Sequence, residues 1–183
     1  MSESIPFVPI EVELRDRRRV RLREIRPDDR DEIRQAFGRL SSQSRYTRFM
    51  ASVRELSPRM LDYAISRQTD RDLSLVAEID APDGIDIVGG ARYYSQADGE
   101  SCEFAITVAD DWQGMGLASR LMRELIQAAR VRGITHMEGF VLAGNSRMLN
   151  LARRLGFSVD TDPEDATVKI VRLDLTRWPT KER

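Results

Sequence analysis

The stretch CEFAITVADDWQGMGLASRLM, residues 102–122, contains three successive elements. From Cys102 to Val108, large apolar residues alternate with Glu, Ala and Thr, which predicts a strand with one buried face. A loop with two glycines follows this strand. Apolar residues then recur at positions 117, 118, 121, 122, 125, 126 and 129, which predicts one face of an amphipathic helix. The stretch therefore predicts a strand, a glycine-containing loop and a long helix in direct succession.

The loop between this strand and this helix is a candidate anion site. Amides at a helix N-terminus are unpaired and lie at the positive end of the helix dipole, so phosphate binds there without a lysine. A Walker-type loop would require Gly-Lys-Ser/Thr where Gly116-Leu117 stands, and a dinucleotide loop would require a glycine at Ser119. The acyl-CoA pattern Gln/Arg-x-x-Gly-x-Gly/Ala matches Gln113 to Ala118 at every fixed position. A tight turn without a ligand is the remaining alternative.

The rest of the chain predicts further strands and helices. Strand-like runs occupy residues 11–14, 20–25, 73–79, 85–94, 136–142, 157–161 and 167–175. Helical signals lie after Asp28, the expected N-cap, at 41–50 with its initial serines, at 56–65 with Pro58 in the first turn, and from Met148 to Leu155 after the cap Asn145-Ser146. We expect the order strand, two helices, three antiparallel strands, helix, strand, helix and two strands. This order predicts an α+β fold with a mixed, mostly antiparallel twisted sheet flanked by helices.

Composition excludes several classes of function. Twenty-nine basic against 30 acidic residues give a net charge of −1, so nothing global indicates a nucleic acid or a membrane as partner. The single cysteine, Cys102, rules out an intramolecular disulfide, and with His136 as the single histidine a multi-histidine metal site cannot form. No signal peptide and no run of about 18 apolar residues is visible, so we expect a cytoplasmic protein without a metal.

The segment from Cys102 to Phe157 resembles the GNAT superfamily of acyl-CoA-dependent N-acyltransferases. The resemblance rests on the strand, loop and helix described above, on Asn145 at a helix start, and on Leu155-Gly156-Phe157 at its end. With RLREIRPDD and SSQSRYTRF it extends to nearly the whole chain, and is closest to the acetyltransferase domain of bacterial protein lysine acetyltransferases. It implies one domain, 1–183, with an N-terminal strand and turn (1–19), an acceptor-side half (20–100) and an acyl-CoA-binding half (101–175).

The resemblance implies acetyl-CoA as co-substrate and a set of residues that bind it. We expect its pyrophosphate on the amides of the loop and its pantetheine along the preceding strand, in the manner of an added strand. The cofactor-binding residues are then Ile106, Thr107, Val108, Gln113, Gly114, Met115, Gly116, Leu117, Ala118, Ser119 and Asn145. For Asn145, capping the helix and contacting the pantetheine arm are compatible roles.

Glu103 is the candidate catalytic residue. An amine must lose its proton before it attacks a thioester, and a free lysine with a pKa of ~10.4 is neutral in only about one molecule in 2,500 at pH 7, which corresponds to roughly 4.6 kcal/mol. Glu103 precedes the apolar Phe104, Ala105 and Ile106, and its position resembles that of the glutamate base of the protein acetyltransferases. A glutamate that faces solvent or pairs with an arginine is the alternative.

One position departs from the family. Many members have a tyrosine three residues before the Leu-Gly-Phe sequence, which protonates the leaving thiolate, whereas this chain has Ala152. The thiolate would leave unassisted or with the help of water, since a thiol with a pKa near 8.5 is a fair leaving group.

Other chemically distinctive residues have structural interpretations. Cys102 is predicted in the core, with a covalent acyl-cysteine route as the alternative, and His136 as a packed or hydrogen-bonded side chain. Trp112 is predicted to be a half-buried structural aromatic residue that could also shield CoA. The charge run Arg15 to Arg19 predicts a solvated hairpin turn, with a phosphate-binding patch as the alternative. The acids Asp28, Asp29, Asp31 and Glu32 predict a solvated helix start, and Tyr46, Arg48 and Phe49 are candidate acceptor contacts.

The leading hypothesis is an acetyl-CoA-dependent N-acetyltransferase that acts by direct transfer in a ternary complex. The resemblance favours a protein lysine as acceptor, with an acyl-CoA synthetase of the same cell as one candidate partner. A small-molecule amine remains a second acceptor class, and a catalytically weak acyl-CoA-binding or sensing module is the alternative from another class. A homodimer is left open.

Overall fold

The computed structural model describes residues 5–67 and 69–179, in which eight strands form one sheet. The strands are β1 Ile10–Glu13, β2 Arg19–Glu24, β3 Leu73–Ala81, β4 Gly84–Ser95, β5 Ser101–Val108, β6 His136–Leu142, β7 Ser158–Thr161 and β8 Val168–Asp174. The α-helices are α1 Arg30–Arg39, α2 Ser42–Phe49, α3 Pro58–Ile65, α4 Leu117–Val131 and α5 Ser146–Arg154. The ends of the predicted domain, residues 1–4 and 180–183, lie outside the described residues.

The sheet is mixed and mostly antiparallel, as predicted. Its strand order is β1-β2-β3-β4-β5-β6-β8-β7, and every neighbouring pair is antiparallel except β5 and β6, which run parallel. The last strand in sequence, β8, lies between β6 and β7 because the turn after Thr161 folds it back along β7.

The two faces of the sheet carry different layers, as the alternation in β3 shows. Leu73, Leu75 and Ala77 join the main core with the apolar face of α4, whose residues from Leu117 to Ala129 include several that are fully buried. The alternate residues of β3 point to the opposite face. There α1 packs on β4, and Arg39 donates to the carbonyl oxygen of Ile87 at 3.1 Å.

The predicted order of strands and helices is wrong at its start, where one strand and two helices were expected. Two paired strands, β1 and β2, precede three short helices, because each of α2 and α3 has its own serine cap. Ser41 Oγ accepts from the amide of Ser44 at 3.1 Å, and Ser57 Oγ accepts from the amide of Met60 at 3.2 Å. The second cap also confirms the helix predicted to begin with proline.

The start of α1 corrects the assignment of the acidic residues. Asp28 is exposed and is not the N-cap, whereas Asp29 is buried and its carboxylate accepts from the amide of Arg26 at 2.6 Å. The same carboxylate accepts two hydrogen bonds of 2.7 Å from Arg23, whose Nε donates to Glu78 at 2.6 Å. Asp29 is therefore part of a buried ion cluster rather than of a solvated helix start, because Arg23 compensates its charge.

Candidate active site

A cavity of about 1470 Å³ opens where β5 and β6 separate. The two strands pair only from Ser101 to Glu103 on one side and from His136 to Glu138 on the other. Beyond this point the Phe104 ring lies against Gly139, where an ideal Cβ would come within 2.4 Å of Phe104 Cε1. The remainder of β5 therefore borders a cleft instead of a neighbouring strand.

The open edge of β5 presents backbone groups to this cavity. The amide of Ala109 donates to Val88 in β4, so by the alternation of strand geometry the backbone groups of Thr107 also face β4, and those of Ile106 and Val108 face the cleft. The carbonyl oxygen of Val108 already accepts from Gln113 Nε2 at 3.1 Å. An extended ligand can therefore pair with this edge through Ile106 and the Val108 amide, whereas Thr107 lines the cavity and has its backbone groups on the β4 side.

The loop after β5 forms an open cradle at the start of α4. Gly114 and Gly116 have φ values of +79° and +93°, which favour glycine. A Cβ on Gly114 would meet nothing within 4 Å, and one on Gly116 would meet only the side chain of Arg15. The amides of residues 117–119 at the start of α4 have no carbonyl partner within the helix, so the cradle is lined by free donors.

Neighbouring side chains hold this loop in place. The carboxylate of Asp110 accepts from the amide of Ser41 at 3.0 Å and from the hydroxyls of Ser41 and Ser44 at 2.7 Å each. Gln113 binds the Val108 carbonyl through its amide nitrogen and accepts from Arg147 at 3.3 Å. The geometry therefore makes Gln113 a brace of the loop, which ties it to β5 and α5.

Glu103 lies at the last point of β5–β6 pairing and lines the cavity. It is half-buried, and its carboxylate makes no hydrogen bond or ion pair within residues 5–67 and 69–179. Burial raises the pKa of Glu103 above its ordinary value of 4.5, the nearby carboxylate of Glu138 adds to this, and the Arg48 guanidinium opposes it. An unpaired carboxylate with a raised pKa at the end of a cleft is suited to accept a proton.

Glu138 occupies the matching position on β6 but has a partner. It lies beside Glu103 in register, and its carboxylate is 3.4 Å from Nε of Arg172. The two carboxylates are therefore in different environments, since only that of Glu138 is ion-paired within the described chain.

The residues predicted as acceptor contacts come to the opposite wall of the same cavity. Tyr46, Arg48 and Phe49 of α2 all line it. Arg48 stands over the Phe49 ring at 4.9 Å but has no hydrogen bond or ion pair to any residue that the structure describes, and burial lowers its pKa. This wall thus contains a guanidinium that has no hydrogen bond or ion pair in the described chain and interacts electrostatically with the Glu103 carboxylate.

Ala152 is fully buried in the core and does not line the cavity. The neighbouring positions on α5 that do line it are Met148, Asn150 and Leu151, so that no side chain of this helix offers a phenol. Among the tyrosines of the described chain, Tyr46 alone lines the cavity, and it belongs to α2.

Cys102 and Trp112 are both buried. Cys102 is fully buried, as predicted, and burial raises the pKa of its thiol, which removes it from nucleophilic chemistry. Trp112 is only 8% exposed, more buried than predicted, because the guanidinium of Arg18 stacks on its ring at 3.8 Å.

His136 is not packed, because it lies exposed at the start of β6. Its Nδ1 is 2.9 Å from the hydroxyl of Thr135, so the hydrogen-bonded alternative of the prediction is confirmed. Nothing in its position connects it to the cavity.

Sequence reasoning missed several cavity-lining residues. These are Arg15, Phe140, Arg147, Met148, Asn150 and Arg154, among others. The signal for Arg15 was present in the charge run of residues 15–19, but its direction depends on contacts with a loop about 100 residues away.

Asn145 caps α5, because its Oδ1 accepts from the amide of Met148 at 3.1 Å, and it also lines the cavity. We expect Asn145→Ala to lower the free energy of unfolding by about 1 kcal/mol, because this amide loses its acceptor. Asn145→Asp is the matched control and should keep most of the stability. Urea denaturation of the three proteins measures the difference, and an unchanged stability in the alanine variant would contradict the capping role.

Residues 5–67 and 69–179 contain neither a metal-binding cluster of His, Cys, Asp or Glu residues nor a membrane-spanning helix. No group of three or more His, Cys, Asp or Glu residues there could hold a metal ion. No helix in the same residues has the length and hydrophobicity needed to cross a membrane.

The chain matches a known protein family. Residues 19–158 match the family model described as an acetyltransferase (GNAT) domain. The chain is 37% identical over 179 residues to the acetyltransferase PA5475 of Pseudomonas aeruginosa, covering 95% of this chain and 96% of that protein. It is 30% identical over 151 residues to the acetyltransferase Pat of Mycolicibacterium smegmatis, covering 82% of this chain but 44% of that protein.

A solved structure has the same architecture over most of its length. The GNAT domain of S. lividans PAT superposes with a TM-score of 0.82 at 26% identity, covering 91% of this chain and 96% of that one. The predicted fold, a mixed and mostly antiparallel sheet flanked by helices, is thereby confirmed.

Proposed function

Since this chain belongs to the GNAT acetyltransferase family, we propose that it transfers the acetyl group of acetyl-CoA to a protein lysine, with Glu103 as general base. Acetyltransferases of this family use acetyl-CoA as the acetyl donor. The observation that carries the proposal is the half-buried, unpaired carboxylate of Glu103 at the point where the cavity begins.

The cavity supports a specific placement of the donor. Its pyrophosphate lies on the amides from Gly114 to Ser119, because this cradle has free donors and open space above the glycines. Its pantetheine extends along the open edge of β5 and pairs with the backbone of Ile106 and Val108. The thioester then lies near Glu103, which is three residues from Ile106 along the same strand.

Transfer follows from this arrangement in two steps. Glu103 takes one proton of the acceptor ammonium, and the freed nitrogen lone pair attacks the thioester carbon to form a C–N bond. The resulting tetrahedral intermediate collapses, the C–S bond breaks, the electron pair leaves with sulfur, and the second proton of the nitrogen passes to water or to the departing thiolate. Because Ala152 offers no proton, the thiolate of CoA leaves as the anion or is protonated by water, which its pKa of about 8.5 allows.

The resemblance to bacterial protein lysine acetyltransferases supports a protein acceptor, and the match to the acetyltransferase Pat is long. It spans 82% of this chain and therefore includes the N-terminal half, where α2 forms the wall opposite Glu103. Because the chain matches 44% of the length of that relative, the proposal extends to the transferase step alone.

Arg48 favours a second candidate acceptor, a small amine that also carries a carboxylate. Its guanidinium faces the cavity without an ionic partner in the described chain, and an amino acid would supply one through its α-carboxylate. The same charge disfavours polyamines, since a second cation next to Arg48 would be repelled. A free amino acid is therefore the sharper form of the small-amine alternative.

The acceptor class is tested by following the acetyl group. The purified protein is incubated with labelled acetyl-CoA and a lysate of its own organism, separated into protein and small-molecule fractions, with Glu103→Gln as the control. We expect label in the protein fraction, on lysine, with the parent and not with the control. Label only in the small-molecule fraction would refute the protein acceptor and support the amino acid. Acetyl-CoA binding without thiol release in either fraction would support a sensing module.

A further inference from the structure

The cavity is strongly cationic. Arg15, Arg48, Arg147 and Arg154 line it, and among the described residues Glu103 is the one acidic residue in its lining. Arg147 donates to the Gln113 side chain and Arg48 lies on the acceptor wall. Arg15 is the arginine at the glycine cradle.

The hairpin between β1 and β2 is attached to the cradle at several points. The amide of Arg15 donates to the carbonyl oxygen of Met115 at 3.2 Å, which lies between the two cradle glycines. Arg18 donates to the carbonyl oxygen of Asp111 at 3.1 Å and stacks on Trp112 at 3.8 Å. These contacts hold the hairpin against the loop, so that the side chain of Arg15 is directed towards the cradle.

Arg15, like Arg17 at the turn, has no side-chain partner within the described chain, in contrast to the next arginines of the hairpin. Arg18 pairs with Asp16, Arg19 with Glu13, and Arg21 with Glu11. The Arg15 side chain makes no hydrogen bond or ion pair within the described chain, and its Nε lies 3.7 Å from the position of a Cβ on Gly116. Its guanidinium therefore stands over the space that the cradle leaves open.

We propose that Arg15 is a phosphate-binding residue that contacts the pyrophosphate of acetyl-CoA from the side opposite the loop amides. The inference rests on the proposed placement of acetyl-CoA. Residue 15 lies outside the family match, which begins at residue 19, so that match assigns no role to Arg15. The amides supply only dipoles, whereas a guanidinium supplies a full charge and paired donors that fit phosphate oxygens.

The test compares two variants of the same hairpin. Arg15→Gln removes the charge at the cradle, and Arg17→Gln removes one at the exposed turn, where the side chain has no described partner and does not line the cavity. Isothermal titration measures the Kd of each protein for acetyl-CoA and for its analogue without the 3′-phosphate. We expect Arg15→Gln to raise the Kd about 10- to 100-fold for both ligands, as for a lost charge-assisted hydrogen bond. Arg17→Gln should change it less than about twofold.

Each other outcome overturns the assignment. An unchanged Kd in Arg15→Gln refutes a phosphate contact. Equal losses of affinity in the two variants also refute it, because they would show that the summed positive charge of the hairpin acts on the ligand rather than a contact of Arg15. A loss for acetyl-CoA but not for the analogue moves Arg15 to the 3′-phosphate and refutes the pyrophosphate contact. Thermal unfolding of both variants confirms that the hairpin is intact. If the parent protein itself does not bind acetyl-CoA, the proposed function fails, and this result is distinct from a failure of the Arg15 inference.

Discussion

Glu103→Gln is expected to lower kcat at pH 7 by about 100- to 10,000-fold, which is the usual contribution of a positioned general base. The amide keeps the size and polarity of the side chain but cannot take the proton of the acceptor. Acetyl-CoA affinity should be unchanged, because Glu103 lies beyond the cradle. The deficit should shrink at high pH, since a growing fraction of the amine is then deprotonated by solvent. Steady-state kinetics from pH 6 to pH 10 and titration with acetyl-CoA measure these effects.

Glu138→Gln is the matched control for this prediction. It removes a carboxylate at the same register of the neighbouring strand, one that is ion-paired with Arg172. The Glu138 carboxylate raises the pKa of Glu103, so its removal should lower that pKa. Because Glu103 acts in its ionised form, the rising acid limb of kcat/KM should move to lower pH, with a near-normal rate at neutrality. Equal pH profiles for parent and Glu103→Gln would remove Glu103 from the mechanism.

The stability of Glu103→Gln distinguishes a lost base from a damaged fold. The folded-state pKa of Glu103 is raised above the ordinary value of 4.5, so its protonated form is the one that folding favours. That contribution is present below pH 4.5 and is lost as the pH rises through the folded-state pKa. At pH 7 the parent has already lost it, and the glutamine variant should unfold at the same temperature as the parent or higher. A large decrease in Tm would indicate a structural role.

Gly116→Leu is expected to weaken acetyl-CoA binding by at least about 100-fold. At φ +93°, a side chain would project into the space above the cradle, where only Arg15 lies within 4 Å. It would occupy the place of the pyrophosphate and separate it from the amides of the loop, and two lost charge-assisted hydrogen bonds correspond to such a loss. Isothermal titration with acetyl-CoA measures the effect.

Gly133→Leu controls for the backbone strain of this substitution. Gly133 follows the other end of α4, has a φ of +79°, and a Cβ there would meet nothing within 4 Å. Both leucine variants should lose stability, because each forces an L side chain into the left-handed region. Only Gly116→Leu should lose the ligand. A Gly116→Leu protein that is folded and binds acetyl-CoA as tightly as the parent would refute the placement of the pyrophosphate.

Local patterns in the sequence were sufficient for most of the fold. The alternation from Cys102 to Val108, the apolar face of α4 and the caps Ser57 and Asn145 each depend on residues a few positions apart. Such patterns can be recognised in a single sequence, because strand alternation, helix periodicity and capping each involve residues that are close together in the chain. The glycine cradle belongs to the same class, since the left-handed φ of Gly116 and the start of α4 are adjacent in the chain.

Charged residues were harder to place from sequence. Asp28 and Asp29 are adjacent and chemically alike, yet one is exposed and the other is buried with Arg23 and Glu78. Arg15 was assigned with its neighbours to a solvated turn, with a phosphate-binding patch as the alternative. The burial of a charge depends on its compensation by distant partners, which a local pattern does not contain.

The sequence alone therefore determined the family, the order of most elements and the strand–loop–helix unit that forms the anion cradle, because these follow from periodicity, capping and backbone conformation. Only the tertiary structure decided that β5 and β6 separate after Glu103, that this carboxylate has no ionic partner in the described chain while Glu138 has one, and that Arg15 stands over Gly116. These features depend on contacts between segments 35 to 100 residues apart. Their cause is the packing of the sheet and the matching of charges across it, which no single stretch of the chain encodes.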